Sequence, residues 1–363
     1  MLVGHASGAN DNAYNRNLVI LPDYIGYGLT KSRPHPYLYQ ELTARNVVDA
    51  VRYGIALFKA DKNTDGTYRD FASTAWRSVA VGYSQGGSVA MAVHKFIETN
   101  NLSTELHFAG SVCGDGPYDP IATIRWYIRQ GKVYMPVVLP LILKGMIDAN
   151  PYMKNHDINE YLTQKFLDTR IVSMIASKTC TTDNITDSLL TWSKKGYNDF
   201  RMYNKNDKEY GTFDDKDYTY AKISDVLTPM TISYFGNDDN FSSLTATRMT
   251  PTTRGVYEDL HKALESNDLT TGWTPWHRMV IFHSYGDEVV PYVNAQSALN
   301  RFGTSSYIHH VRYTDSESDM KHVPVGTTFY FKLIGTSPED EAVTKVLGSW
   351  SDWVDYTNDS WTD

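Results

Sequence analysis

Residues 82–86 read Gly82-Tyr83-Ser84-Gln85-Gly86. The apolar run Ser78-Val79-Ala80-Val81 stands ahead of them, and a small-residue helical pattern runs behind them from Gly87 to Ile97. Strand, Gly-x-Ser-x-Gly, helix is the arrangement of a sharp turn that presents a serine hydroxyl at a sheet edge. The reason is steric. A serine at such a turn sits on a strained backbone, and glycines at both flanks relieve the crowding. Gly86, Gly87 and Ala90 are expected to let the helix lie close to the sheet. The pentapeptide alone says little, because Gly and Ser are common; its placement carries the signal.

Working outward, residues 17–22 (Asn-Leu-Val-Ile-Leu-Pro) read as a buried strand, and Asp23-Tyr24-Ile25-Gly26-Tyr27-Gly28 as a Gly-rich turn. Val47, Val48, Val51, Ile55 and Phe58 have helical spacing, which predicts a helix over 41–58. A polar loop (61–73) leads to the elbow strand, and 106–113 reads as the next strand. Strands alternating with helices imply βαβ units and an α/β fold with a mostly parallel sheet. The alternation stops near Pro117. It resumes after Pro275 with a strand at 278–283, a helix at 291–302, a strand at 307–313 and a helix from about Pro324. This divides the chain into a core (1–116 and 276–363) and a helical insertion (117–275). Helices are expected in the insertion at 121–131, 135–147, 158–178 and 256–265.

The 363 residues carry 34 Lys and Arg against 42 Asp and Glu, a net charge of −8. That argues against a nucleic-acid partner and supplies no basic patch for a membrane. The 26 Tyr and 8 Trp suit apolar or sugar-bearing substrates, or equally an aromatic-heavy core. Cys113 and Cys180 cannot make a disulfide framework, and one bridge between them stays open. The longest apolar stretch, 133–147, is broken by Pro136, Pro140 and Lys144 and is shorter than the ~20 residues of a membrane span. No signal-peptide pattern follows Met1. Asp61-Lys62-Asn63-Thr64-Asp65-Gly66 matches half of a calcium loop, but Ala72 stands where the bidentate Glu belongs, so it reads as a solvated turn. Gly26-Tyr27-Gly28 lacks the third glycine of a dinucleotide fingerprint. No metal or cofactor is expected.

A serine hydroxyl needs a base to take its proton and a carboxylate to orient that base. Asp287 is the acid candidate. It follows the strand-like run Met279-Val280-Ile281-Phe282 and the turn His283-Ser284-Tyr285-Gly286. The C-terminal end of a strand is where ligands bind in open α/β sheets. Asp115 and Asp119 are its rivals, and Glu288 is expected to face elsewhere. His322 is the base candidate, in a loop after the last strand. His309 and His310 lie within a strand pattern; His277 and His283 read as structural. The N–H of Gln85, the residue after the serine, is expected to help bind an oxyanion. Gly4-His5-Ala6-Ser7-Gly8 is the candidate for the second donor.

Pro22-Asp23-Tyr24-Ile25-Gly26-Tyr27-Gly28, Gly82-Tyr83-Ser84-Gln85-Gly86-Gly87 and His283-Ser284-Tyr285-Gly286-Asp287-Glu288-Val289-Val290-Pro291 together resemble the α/β-hydrolase superfamily, and most the secretory lipase-A-like group. The similarity runs from Asn17 to about Leu333. It implies a nucleophile at Ser84, an acid at Asp287 and a base at His322, with residues 117–275 as a helical cap between the family's sixth and seventh strands. It implies a small-molecule or lipid ester substrate and a secreted or cell-surface protein. The family's first strands have no counterpart before Asn17, so a chain lacking N-terminal strands is expected. A serine peptidase, a polysaccharide acyl esterase and a non-catalytic binding protein are the alternatives on the same fold. Reaction with a fluorophosphonate separates the last from the others.

Overall fold

The computed structural model describes residues 18–71, 76–178, 182–204, 207, 209, 220–236, 250–302, 305–313 and 321–334. They fall into two compact units. One comprises the residues up to Thr30, Gln40–Tyr118 and those from Leu269 onward; the other is Lys31–Tyr39 with Asp119–Asp268.

The first unit opens with α1 (Gln40–Ala60), β1 (Ser78–Tyr83), α2 (Gln85–Thr99) and β2 (Phe108–Gly114). The second unit follows with α3 (Pro120–Gln130), β3 (Lys132–Tyr134), α4 (Val138–Ala149), α5 (Gln164–Leu167), α6 (Ile171–Ser177), α7 (Thr182–Lys195), β4 (Met202–Tyr203), β5 (Tyr220–Lys222), α8 (Ile223–Val226), α9 (Pro229–Gly236) and α10 (Pro251–Glu265). The first unit then closes with β6 (Arg278–Ser284), α11 (Val293–Phe302), β7 (Ile308–Tyr313) and α12 (His322–Ile334).

In the first unit four strands pair in the order β1-β2-β6-β7, all parallel. One register row runs Tyr83, Gly114, Phe282, Val311 at the C-terminal edge. The period-2 alternation of strands splits the core in two. Phe108, Cys113, Met279 and Ile281 face α1, α2 and α11, where Val48, Met91 and Ala298 are buried. Val112, Val280, Phe282 and Val311 face Val325 and Phe329 of α12. The sheet is therefore covered on both faces, as parallel sheets require. Cys113 is a buried free thiol, its pKa pushed up to about 12 by burial; Cys180 lies outside the described residues.

Residues 18–22, expected as a strand, pair with no strand among the described residues. Ile20 instead packs on α1, filling the space that a Cβ on Gly54 would need, 2.8 Å from its Cδ1. Leu18 and Leu21 are exposed, so within the run only Ile20 is shown held by packing, and the expected buried strand is absent from the described residues.

A buried carboxylate ties α2 to the approach of β6. Glu98 accepts from the N–H groups of Trp276 (3.1 Å) and His277 (2.7 Å), from His277 Nδ1 (2.8 Å) and from His94 Nε2 (2.9 Å). Burial pushes its pKa up, but the bonds from His277 and His94 prevail and hold it down at about 2. A depressed carboxylate stabilises the fold above its unfolded pKa and loses that contribution as pH falls through the folded value. Glu98→Gln is expected to unfold about 2 kcal/mol more easily at neutral pH, with the gap closing between about pH 4.5 and 2. Urea titrations at several pH values measure this; an equal gap at neutral pH and near pH 2 contradicts it.

The second unit has its own core, in which Tyr127, Tyr161, Phe166, Phe200 and Phe235 are fully buried. Tyr127 and Tyr161 are thus core residues. A Cβ on Gly145 of α4 would meet Tyr37 backbone atoms at 2.5 and 2.6 Å, so residues 31–39 lie hard against that helix. Two expectations fail here. The helix predicted over 158–178 is broken into a 3-10 turn, α5 and α6, because Thr163 caps α5 and Arg170 adopts a left-handed backbone (φ 63°). The insertion is also not purely helical: β3, β5 and β4 form an antiparallel sheet. These strands are two or three residues long, too short for an alternation to register. No described helix is long and apolar enough to cross a membrane.

Candidate active site

Ser84 sits between β1 and α2 with φ 57° and ψ −123°, a conformation that costs a non-glycine residue on the order of 1–3 kcal/mol. Its N–H donates to Gly114 O (2.9 Å), which ties the turn to the end of β2. The steric reading of the flanks holds in part. A Cβ on Gly82 would fall 2.0 Å from Gly86 O, and one on Gly87 would fall 2.1 Å from Gly114 O. A Cβ on Gly86 would meet nothing, so the backbone of Gly86, and not its missing side chain, fills the tight space.

The parallel register brings strand ends together. His322 Nε2 lies 2.7 Å from Ser84 Oγ, and His322 Nδ1 lies 2.5 Å from Asp287 Oδ2. Asp287 Oδ1 accepts from the N–H groups of Val289 (2.9 Å) and Val290 (2.8 Å). Ser84, Asp287 and His322 are 238 and 35 residues apart along the chain and form one hydrogen-bonded line. Burial lowers the His322 pKa, which favours the neutral imidazole. Bonded to Asp287 through Nδ1–H, that imidazole offers Nε2 as an acceptor to the serine hydroxyl. Gln85 is the first residue of α2, directly after Ser84.

Of the competing residues, Asp115 lies fully buried beside Asp287, and Asp119, Glu288, His283 and His310 have partners outside the line. Asp119 caps α3, accepting from Ala122 N–H (2.9 Å). Glu288 faces Lys321 Nζ at 3.6 Å. His283 Nε2 bonds Val290 O (2.8 Å), and burial drives its pKa down to about 3. His310 Nε2 is 3.3 Å from Tyr292 Oη, and His309 lies in β7. His322 is the first residue of α12 and not a loop residue. Gly4 to Gly8 lie outside the described residues. One supporting residue had no distinct sequence signal. Tyr83, in the elbow itself, stacks on the His322 ring (centroids 5.2 Å apart), and its hydroxyl donates to His322 O (2.5 Å).

A parallel sheet with helices on both faces, a serine at a strained β–α elbow and partners from later strand ends describe one architecture. The chain has the α/β-hydrolase fold. Solved structures share this fold. The rice cell wall degrading esterase LipA from Xanthomonas oryzae matches 84% of this chain and 66% of its own length, with a TM-score of 0.51 and 18% identity. A point variant of that esterase matches 89% and 70%, with a TM-score of 0.57 at 18% identity. A Legionella pneumophila protein described as a hydrolase matches 85% and 66%, with a TM-score of 0.57 at 13% identity. The chain thus spans about two thirds of the length of these structures. No protein-family model and no curated protein matches the sequence.

Proposed function

We propose that this protein is a serine carboxylester hydrolase that works through an acyl-enzyme. The observation supporting it most is the line Ser84 Oγ, His322 Nε2 (2.7 Å), His322 Nδ1, Asp287 Oδ2 (2.5 Å). Ser84 attacks the ester carbonyl while His322 takes its proton. Asp287 holds the imidazole and stabilises the imidazolium that forms. The Gln85 N–H contributes to the oxyanion site. His322 then protonates the departing alcohol, and a water repeats the cycle on the acyl-enzyme. The residues supply every proton transfer in this sequence.

The substrate class is an ester of an apolar acyl group. Leu139, Leu143 and Met146 of α4 lie in the second unit's own core and the half-buried Leu141 and Ile142 pack against it, so that apolar stretch is structural and the acyl preference rests on the ester panel below. The role of residues 117–275 as a cap, and export of the protein, belong to the same proposal. The named cell wall degrading esterase among the fold relatives is consistent with export.

A fluorophosphonate probe tests the reading. One probe per chain is expected, on the peptide carrying Ser84, with hydrolysis of p-nitrophenyl esters lost in proportion. Folded protein that stays unlabelled, or that is labelled at another residue, overturns it. A panel of esters of graded chain length then places the acyl preference.

A further inference from the structure

Asp115 is fully buried and follows β2 as Ser84 follows β1, one residue beyond the register row of Tyr83 and Gly114. Its backbone is left-handed (φ 40°), and its N–H donates to Phe282 O at 2.9 Å. Its Oδ1 accepts from Ser284 N–H at 2.8 Å, while its Oδ2 is buried with no hydrogen-bond partner. Asp115, His283 and Asp287 each place one polar atom within 4.8 Å of the others. His283 cannot neutralise this carboxyl. Its Nε2 is 3.8 Å from Asp115 Oδ1 but is bonded to Val290 O.

Two buried carboxyls this close do not both ionise. The donors decide which one keeps the proton. Asp287 accepts two backbone N–H groups and the His322 imidazole; Asp115 accepts a single N–H. We propose that Asp115 is a positioning residue held as the neutral acid, its proton on Oδ2 and directed to the Asp287 carboxylate, so that the acid behind His322 is itself held by an acid. Burial and the Asp287 charge both push the Asp115 pKa up. The other titratable groups acting on Asp115 are His322 from α12, Tyr83 from β1 and Tyr118 from its own loop; Glu288 acts on Asp287. This inference deepens the proposed hydrolase mechanism and rests on it for its kinetic half only.

The decisive measurement is infrared spectroscopy of the protein made with carboxyl-labelled aspartate. At about pH 8, far above the ~3.9 of an ordinary aspartate, a protonated-carboxyl band that shifts in heavy water is expected, and Asp115→Asn is expected to lose it. No such band in the wild type, or its persistence in Asp115→Asn, overturns the proposal. Should that variant fail to fold, Asp287→Asn takes its place. With the neighbouring charge gone, the band is expected to titrate away at lower pH than in the wild type, and an unchanged titration overturns the proposal. In ester kinetics Asp115→Asn, which keeps a donor and an acceptor, is expected to retain kcat/KM within about threefold with the acid limb unmoved. Asp115→Ala is expected to lose about tenfold in kcat at constant KM, with the limb moved to higher pH as the less solvated Asp287 charge raises the His322 pKa. A loss of about a hundredfold in Asp115→Asn with the limb moved to lower pH marks an ionised Asp115 and overturns the proposal. The infrared result needs no turnover, so failure of the hydrolase reading and failure of this one are separable.

Discussion

Ser84→Ala is expected to lower kcat/KM for p-nitrophenyl esters by about ten-thousand- to a million-fold and to abolish fluorophosphonate labelling. The size of the loss follows from what remains. Without the hydroxyl there is no atom to form the acyl-enzyme, and the residual rate comes from binding and the oxyanion site acting on water. The variant removes one hydrogen bond, that to His322 Nε2, and leaves the main-chain anchor from Ser84 N–H to Gly114 O in place. Alanine occupies the same left-handed φ of 57° at no greater steric cost than serine. The melting temperature is therefore expected to stay within a few degrees of the wild type. Retention of more than about 1% of wild-type kcat/KM by a folded Ser84→Ala protein rules out Ser84 as nucleophile.

How far the sequence reveals this site depends on the range of each interaction. The elbow is local: a β-rich run, two flanking glycines and a helix specify Ser84 within ten residues, with Gly82 needed for the close approach of α2 to β1 and Gly87 for its approach to β2. The parallel sheet follows from the alternation of periods, and its covered faces from the continuous apolar strands. Asp287 is legible from the apolar run and turn that precede it, and His322 because the sheet topology constrains where strand ends lie. Tyr83 and Asp115 are another matter. Their roles depend on which atoms face each other after the strands register, the Tyr83 hydroxyl on His322 O and Asp115 beside Asp287, and no residue pattern encodes that. Residues 18–22 failed as a strand for the complementary reason. An apolar residue can be satisfied by packing on a helix, here Ile20 over Gly54, as well as in a ladder.

Asp287→Asn is expected to lower kcat by about ten-thousand-fold while leaving the fold and KM nearly unchanged. Asn can keep the two main-chain bonds, because its carbonyl oxygen accepts from Val289 and Val290 N–H as Oδ1 of Asp287 does. Its NH2 group then faces His322 Nδ1 and donates where the carboxylate accepted. A neutral imidazole answers by moving its proton to Nε2, which now points a hydrogen at Ser84 Oγ and can no longer take one from it. The loss is therefore one of tautomer and charge, not of position, and it has a signature that simple disruption lacks. His322 also loses the adjacent anion, so its pKa is expected to fall and the acid limb of kcat/KM to move to lower pH. Asp287→Ala, which leaves Val289 and Val290 N–H without an acceptor, is expected to lose stability as well, by about 1–3 kcal/mol. Stopped-flow acylation with p-nitrophenyl acetate, followed across pH for both variants, measures the two effects. An Asp287→Asn protein that acylates within about tenfold of the wild-type rate excludes Asp287 as the residue that sets the imidazole's proton.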